Sequence, residues 1–443
     1  MDRETGWLPD LTWLDGAFES GVTLFADDEG RIARLSHDAR NAARLSGRAM
    51  LPGLVNVHSH TFQRATRGRT ERRSADRDTF WTWRESMYRA ANRVSLESIY
   101  HIARMAFMEM ALSGITTVGE FHYLHHDSRG VPYTERNATA LAIARAAREV
   151  GVRLVILHAA YVRAGFGKPA DPEQARFITP RVEDFIADTE ALRQSVPVGV
   201  APHSVRAVPL DALREIAAYA KSNGLPLHMH VAEQPAEVEA SIAEYGLRPV
   251  ELLHDEGIID ENFTAVHAIH ITDEEARWLG GATVCACPTS ERNLGDGAVP
   301  ADKLYAAGAR IAFGSDSNIQ IDLVEDARLL EYHLRMNRLE RAVLPGSGRT
   351  LFESATRSGA RSLMAPSGWF EPRRAADFFT VDLNDPSIAG ADAATLIDNV
   401  MFSLERTAIR DVVVNGKRIV CDGRHPLQEE ITREFVKVQK ELW

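Results

Sequence analysis

Residues 51–68 read LPGLVNVHSHTFQRATRG, an apolar run that ends in two histidines one residue apart, His58 and His60. In an extended strand side chains alternate faces, so both imidazoles point the same way. Two neutral imidazoles side by side are a ready pair of ligands for a divalent metal. Taken alone, H-x-H is equally explained by two satisfied polar histidines at a strand end. Two further stretches tip the balance. PLHMHVAEQ brings His230 and Glu233, and IAFGSDSN brings Asp316. Three imidazoles and one carboxylate form an N₃O set that suits one divalent ion, such as zinc, and leaves a place for water.

These residues need a frame that brings them together. Short β-like runs at 54–60, 115–121, 152–158, 198–205, 225–231, 263–270, 283–288 and 310–315 alternate with amphipathic stretches such as ESIYHIARMAFMEMALSG and DALREIAAYAKSNG. Strand–helix alternation repeated eight times predicts a closed α/β barrel of the (β/α)₈, TIM-like type. The pattern is clear for six units and loose around the seventh. At their C-terminal ends the runs read VNVHSH, TVGEFHY, VILHAAY, VAPHSVR, HMHVAE, AVHAIH, CACPTSE and FGSDSN. Polar groups gathered at that rim are where such barrels place chemistry. Both flanks read as β instead. GVTLFADDEGRIARLS has a turn between two apolar runs, and RDVVVNGKRIVCDG carries Asn415-Gly416, a strong hairpin signal. The simplest architecture joins residues 1–50 and 367–443 into a small β-sandwich domain beside a barrel of residues 51–366.

Composition narrows the class. With 443 residues and 45% hydrophobic side chains the chain can bury one large domain with an appendage. A net charge of −11 disfavours nucleic acid and anionic membrane as partners. The opening MDRETGWLPD lacks signal-peptide order, and no apolar run reaches membrane-spanning length. Three cysteines cannot build a disulfide framework, which fits a reducing, cytoplasmic setting. Cys285 and Cys287 read as core, because an N/O metal set is already complete without them.

The motifs H-x-H on strand one, histidine on strands five and six, and aspartate on strand eight resemble the amidohydrolase superfamily over nearly the whole chain. Binuclear members carry a lysine at the end of strand four; here that strand reads VGVAPHSVR, without lysine, so one metal is expected. The resemblance implies His58, His60, His230 and Asp316 as metal ligands. It implies Glu233, three residues beyond His230, as the proton shuttle of the deaminase branch. His267 in TAVHAIH matches the strand-six histidine that orients the attacking water, with Asp316 as the acceptor of that water's proton. His270 would point to the opposite strand face, His228 resembles a deeper-layer residue, and His122, His125 and His126 are assigned to structure.

Further segments resemble the formimidoylglutamate deiminases: Gln63, then FWTWRESMYR with Arg84, EFHYLHHD, HSVRAV and SERNLGDG. That resemblance implies Gln63, Arg84, Tyr123, His203 and Arg206 as substrate contacts, a zinc-dependent hydrolysis of N-formimino-L-glutamate in histidine degradation, and a homodimer. The chemistry is consistent, since two carboxylates call for planar, bidentate donors. A nucleobase deaminase shares the metal set but would want stacking aromatics in place of the arginine pair.

Overall fold

The computed structural model describes residues 4–71 and 78–443. The first three residues of the expected N-terminal part and residues 72–77 of the barrel insertion lie outside that range. Eight parallel strands close a barrel in chain order: Leu54–Ser59, Ile115–His122, Arg153–Ala160, Val198–Pro202, Leu227–Val231, Phe263–His267, Thr283–Ala286 and Arg310–Phe313. They are called strands one to eight below. Nearly every residue in them is buried, as expected for parallel strands covered on both faces.

Closure depends on a polar stitch between strands one and eight. Asn56 donates to Ser315 Oγ at 2.7 Å and accepts from the Ser315 amide at 3.0 Å. Asn318 extends the seam, donating to the His60 carbonyl at 3.0 Å. Backbone bonds from Asp316 N to His58 O and from His60 N to Asp316 O, 3.0 and 2.9 Å, complete it. Removing one partner of such a buried set costs about 1–3 kcal/mol. Gly314 is required here, because a Cβ would lie 2.7 Å from that of His58.

Both chain ends form the small domain. Seven strands hydrogen-bond in one continuous path that joins Thr5–Leu14 and Ala42–Pro52 to Phe378–Asp382 and Ile409–Val414, and an eighth, Ala17–Ser20, pairs with Thr5–Leu14 off that path. The expected hairpins are present. Thr23–Ala26 pairs with Ile32–Ser36, and Asn415 and Gly416 both take positive φ between Ile409–Val414 and Lys417–Val420. The C-terminal tail of the chain returns to the barrel. Helix Gln428–Leu442 packs on barrel helix Leu96–Leu112. Its Gln439 and the following Trp443 both donate to the Ala65 carbonyl at 3.1 Å, in the turn that carries Gln63. Among the described residues no helix is long and apolar enough to cross a membrane.

Candidate active site

The barrel brings His58, His60, His230 and Asp316 together at the C-terminal rim, all buried. Nε2 of His58 lies 3.2 Å from Nε2 of both His60 and His230, and Asp316 Oδ1 lies 3.4 Å from His58 and from His60. Ligands around a tetrahedral zinc sit roughly 3.3 Å apart, given bonds of about 2.0–2.1 Å. Tautomers follow from the other ring nitrogens. His60 Nδ1–H donates to the Phe121 carbonyl at 2.9 Å and His230 Nδ1–H to the His203 carbonyl at 3.0 Å, so each Nε2 keeps its lone pair. These two lone pairs both face His58 Nε2, whose own Nδ1 has no protein partner, and a cation between the three rings would be met by all of them. Burial reinforces this state, pushing His58 down to about 3 and lowering His60 and His230. Burial also opposes charge on Asp316, but His58, His60 and His267 hold its carboxyl below the usual range. The residues fit a divalent metal.

Glu233 and His267 stand beside this group. Glu233 Oε1 lies 3.7 Å from His267 Nε2, and burial pushes the glutamate up to about 7, with His267 pulling the other way. His267 Nδ1 faces Glu291 Oε1 at 3.2 Å. Burial disfavours charge on His267, yet Glu233, Glu291 and Asp316 together raise it well above the ordinary imidazole value. Backbone geometry places these groups. Ala232, His267, Ala268 and Asp316 have φ of 49°, 72°, 49° and 43°, a left-handed region that costs non-glycine residues about 1–3 kcal/mol each. Strand six therefore stops at His267, and the expected strand to 270 does not continue. His270 sits in the following loop, bound to the Asp296 carbonyl.

The remaining residues singled out in the sequence line one cavity that opens on the metal group. Gln63 donates to Tyr123 Oη at 2.9 Å. Arg84, on helix Phe80–Arg93, stacks over Trp81, and Arg206 follows strand four beside His203. Among the described residues neither Arg84 nor Arg206 pairs with a carboxylate, and both have buried nitrogens without a partner. The other histidines are hydrogen-bonded elsewhere: His228 to Ser362 O, His122 to Thr139, His125 to Ala159 O and His126 to Ile178 O. Cys285 and Cys287 are buried with sulfurs 3.7 Å apart. Cys287 also joins His267 and Glu291 in a second group whose ligand atoms lie within 4.8 Å of one another.

Sequence reasoning passed over four residues at the site. Tyr88 lines the cavity four positions after Arg84, an i,i+4 spacing that puts both on one helix face and could have found it. Tyr161 follows strand three, in a motif already read as part of the rim. Glu291, on the short helix Pro288–Leu294, likewise ends a stretch read as part of the rim, whereas Gln174 carried no signal, since a loop turn places it. A larger cleft, of about 1550 Å³, lies around Tyr133 and Asp188 and includes none of the metal group.

Comparison with known proteins accords with this geometry. The amidohydrolase family model matches residues 49–419. The chain belongs to the amidohydrolase family. Among amidohydrolase relatives, a formimidoylglutamate deiminase of Pseudomonas aeruginosa is 40% identical over 429 residues, 94% of each chain. A 5-methylthioadenosine/S-adenosylhomocysteine deaminase of Caldanaerobacter subterraneus subsp. tengcongensis is 27% identical over 440 residues, 95% of this chain and 93% of that one. The crystal structure of an amidohydrolase from Brucella melitensis superposes with a TM-score of 0.90 at 34% identity, covering 99% of both chains.

Proposed function

We propose that this amidohydrolase hydrolyses N-formimino-L-glutamate to N-formyl-L-glutamate and ammonia. The observation that carries the reading is the pair Arg84 and Arg206, part-buried in one cavity, with unpartnered nitrogens and, among the described residues, no salt bridge to a carboxylate. Buried, unsatisfied guanidinium donors call for an anionic ligand, and a dicarboxylate answers both. The formimidoylglutamate deiminase of P. aeruginosa, similar over almost the whole chain, supports the same substrate.

His58, His60, His230 and Asp316 would hold one divalent ion, zinc by donor type, which when bound supplies Lewis acidity and brings the pKa of a coordinated water to about 7. Asp316 accepts the proton of the attacking water. His267, anchored through Nδ1 by Glu291, presents Nε2 to the cavity and orients that water. Glu233 carries a proton to the imino nitrogen, which makes the amidine carbon more electrophilic and lets nitrogen depart as ammonia. Its position near pH 7 suits a group that must both take and give a proton. Gln63, Tyr123 and His203 complete the wall around the bound chain.

The test is ammonia release by metal-loaded protein from N-formimino-L-glutamate, compared with adenosine, guanine and cytosine. Turnover confined to the formimino substrate is expected. Deamination of a purine or pyrimidine with none of the formimino compound would overturn the reading in favour of a nucleobase deaminase.

A further inference from the structure

Three residues outside the proposed machinery meet at the far wall of the cavity. Tyr88 and Tyr161 bring their hydroxyls to 3.4 Å from one another. The Gln174 amide nitrogen donates to both, at 2.7 and 3.0 Å. All three are buried, with 7%, 1% and 1% exposure, and both tyrosines line the cavity with Arg84 and Arg206. Gln174 belongs to the short turn Pro172–Gln174 after strand three, so its two amide protons reach phenols from two separate elements.

The donor count decides what this cluster wants. An amide NH₂ has two protons and no acceptor capacity, so each phenol oxygen already receives a hydrogen bond from behind. Each phenol therefore needs an acceptor for its own proton. At 3.4 Å one hydroxyl could serve the other only weakly, and at least one proton is left over. Around them stand Arg84 Nε and Nη1 and Arg206 Nη1, all buried donors without partners. Burial, with Tyr161 alongside, keeps the Tyr88 phenol above its ordinary pKa, so it remains a donor. A wall built of donors is complementary to an anion, and planar guanidinium groups beside hydroxyls favour a carboxylate.

We infer that Tyr88 and Tyr161, held proton-outward by Gln174, are specificity-determining residues that bind one of the two substrate carboxylates beside the guanidinium, Arg84 or Arg206, that holds it. The inference rests on the dicarboxylate reading above, and the experiment keeps the two separable. Binding of the product-like dicarboxylate N-formyl-L-glutamate to metal-loaded protein is measured by calorimetry, alongside steady-state ammonia release from N-formimino-L-glutamate. Tyr88→Phe and Tyr161→Phe should each weaken binding and raise KM about 10-fold or more, with kcat within about threefold, since hydrogen bonds to charged groups are worth that range. Gln174→Glu should do more harm than either, because a carboxylate there accepts from both phenols and turns their protons away from the ligand. Against 4-(formimino)aminobutyrate and N-formimino-L-glutamine, each lacking one carboxylate, the tyrosine variants should lose affinity on one and not the other. Thermal unfolding of every variant reports whether the fold is intact. If wild-type protein binds the dicarboxylate and the variants lose it while no formimino substrate is turned over, the clamp stands and the reaction assignment falls. If turnover is normal and both phenylalanine variants bind within twofold of wild type, the clamp falls and the reaction stands. Failure of wild-type protein to bind any dicarboxylate overturns the clamp outright.

Discussion

Glu291 Oε1 sits 3.2 Å from His267 Nδ1, and the same oxygen accepts the Cys287 amide at 2.8 Å. The carboxylate is thereby fixed by backbone before it fixes the imidazole, so His267 Nε2 must face Glu233. An orienting carboxylate behind a catalytic histidine sets both tautomer and charge. Glu291→Gln should lower kcat about 10²-fold, with KM and metal content little changed. Activity within twofold of wild type would show that His267 needs no such anchor.

In the proposed mechanism Glu233 moves protons and His230 holds metal, so their variants should fail differently. Glu233→Gln should retain its ion while kcat falls about 10²–10⁴-fold, whereas His230→Ala should lose the ion. The reverse pattern in metal analysis would exchange their roles.

One ion per chain is expected, because strand four ends in Pro202 and His203 with no bridging lysine. Chelation should abolish activity and one equivalent of zinc should restore it. Two tightly held ions, both needed for turnover, would sink the mononuclear reading. A content that drops from two to one in Cys287→Ser would place the second among His267, Cys287 and Glu291.

Arg206→Lys should lower kcat/KM for N-formimino-L-glutamate about 10- to 100-fold with metal content unchanged, since a lysine ammonium has no planar fork. The loss should shrink on whichever substrate analogue lacks the carboxylate that Arg206 holds. Equal losses on every analogue would make Arg206 a structural residue.

Glu120, buried at the end of strand two, is pushed up to about 7 by burial, although Thr61 and Ser59 bond to it and pull the other way. A folded pKa above the unfolded value of 4.5 means that the folded state binds the proton more tightly. That stabilisation is full below about pH 4.5, drains away as pH rises to about 7, and amounts to about 3 kcal/mol at most. Glu120→Gln removes the titration and keeps an acceptor for Thr61. Its melting temperature should gain on wild type steadily between pH 5 and 8. A gap that stays flat would mean that Glu120 is ionised throughout.

The metal group was legible because strands have period two and barrels collect strand ends at one rim. His58, His60, His230 and Asp316 needed nothing but alternation and a strand count. Legibility ended where extended backbone ends. His267 and Ala268 turn left-handed, so alternation no longer says where His270 points. Gln174 and Glu291 owe their positions to the path of a loop and of a short helix, which no periodicity encodes. The packing of Gln428–Leu442 on the barrel was equally hidden, since an amphipathic pattern shows that a face is covered and does not name the partner.

Strand one supplies His58 and the turn after strand eight supplies Asp316, and the two lie some 260 residues apart in the chain. On a ribosome adding about 5–20 residues per second, the first histidine pair therefore waits roughly 13–50 s for its carboxylate to be made. The small domain waits longer, since its sheet joins Ala42–Pro52 to Phe378–Asp382. Contacts of such long range are slow to form. Through that interval the nascent chain offers an incomplete set of ligands, so selection of the proposed metal belongs to the end of synthesis, when closure of the barrel sets the final geometry.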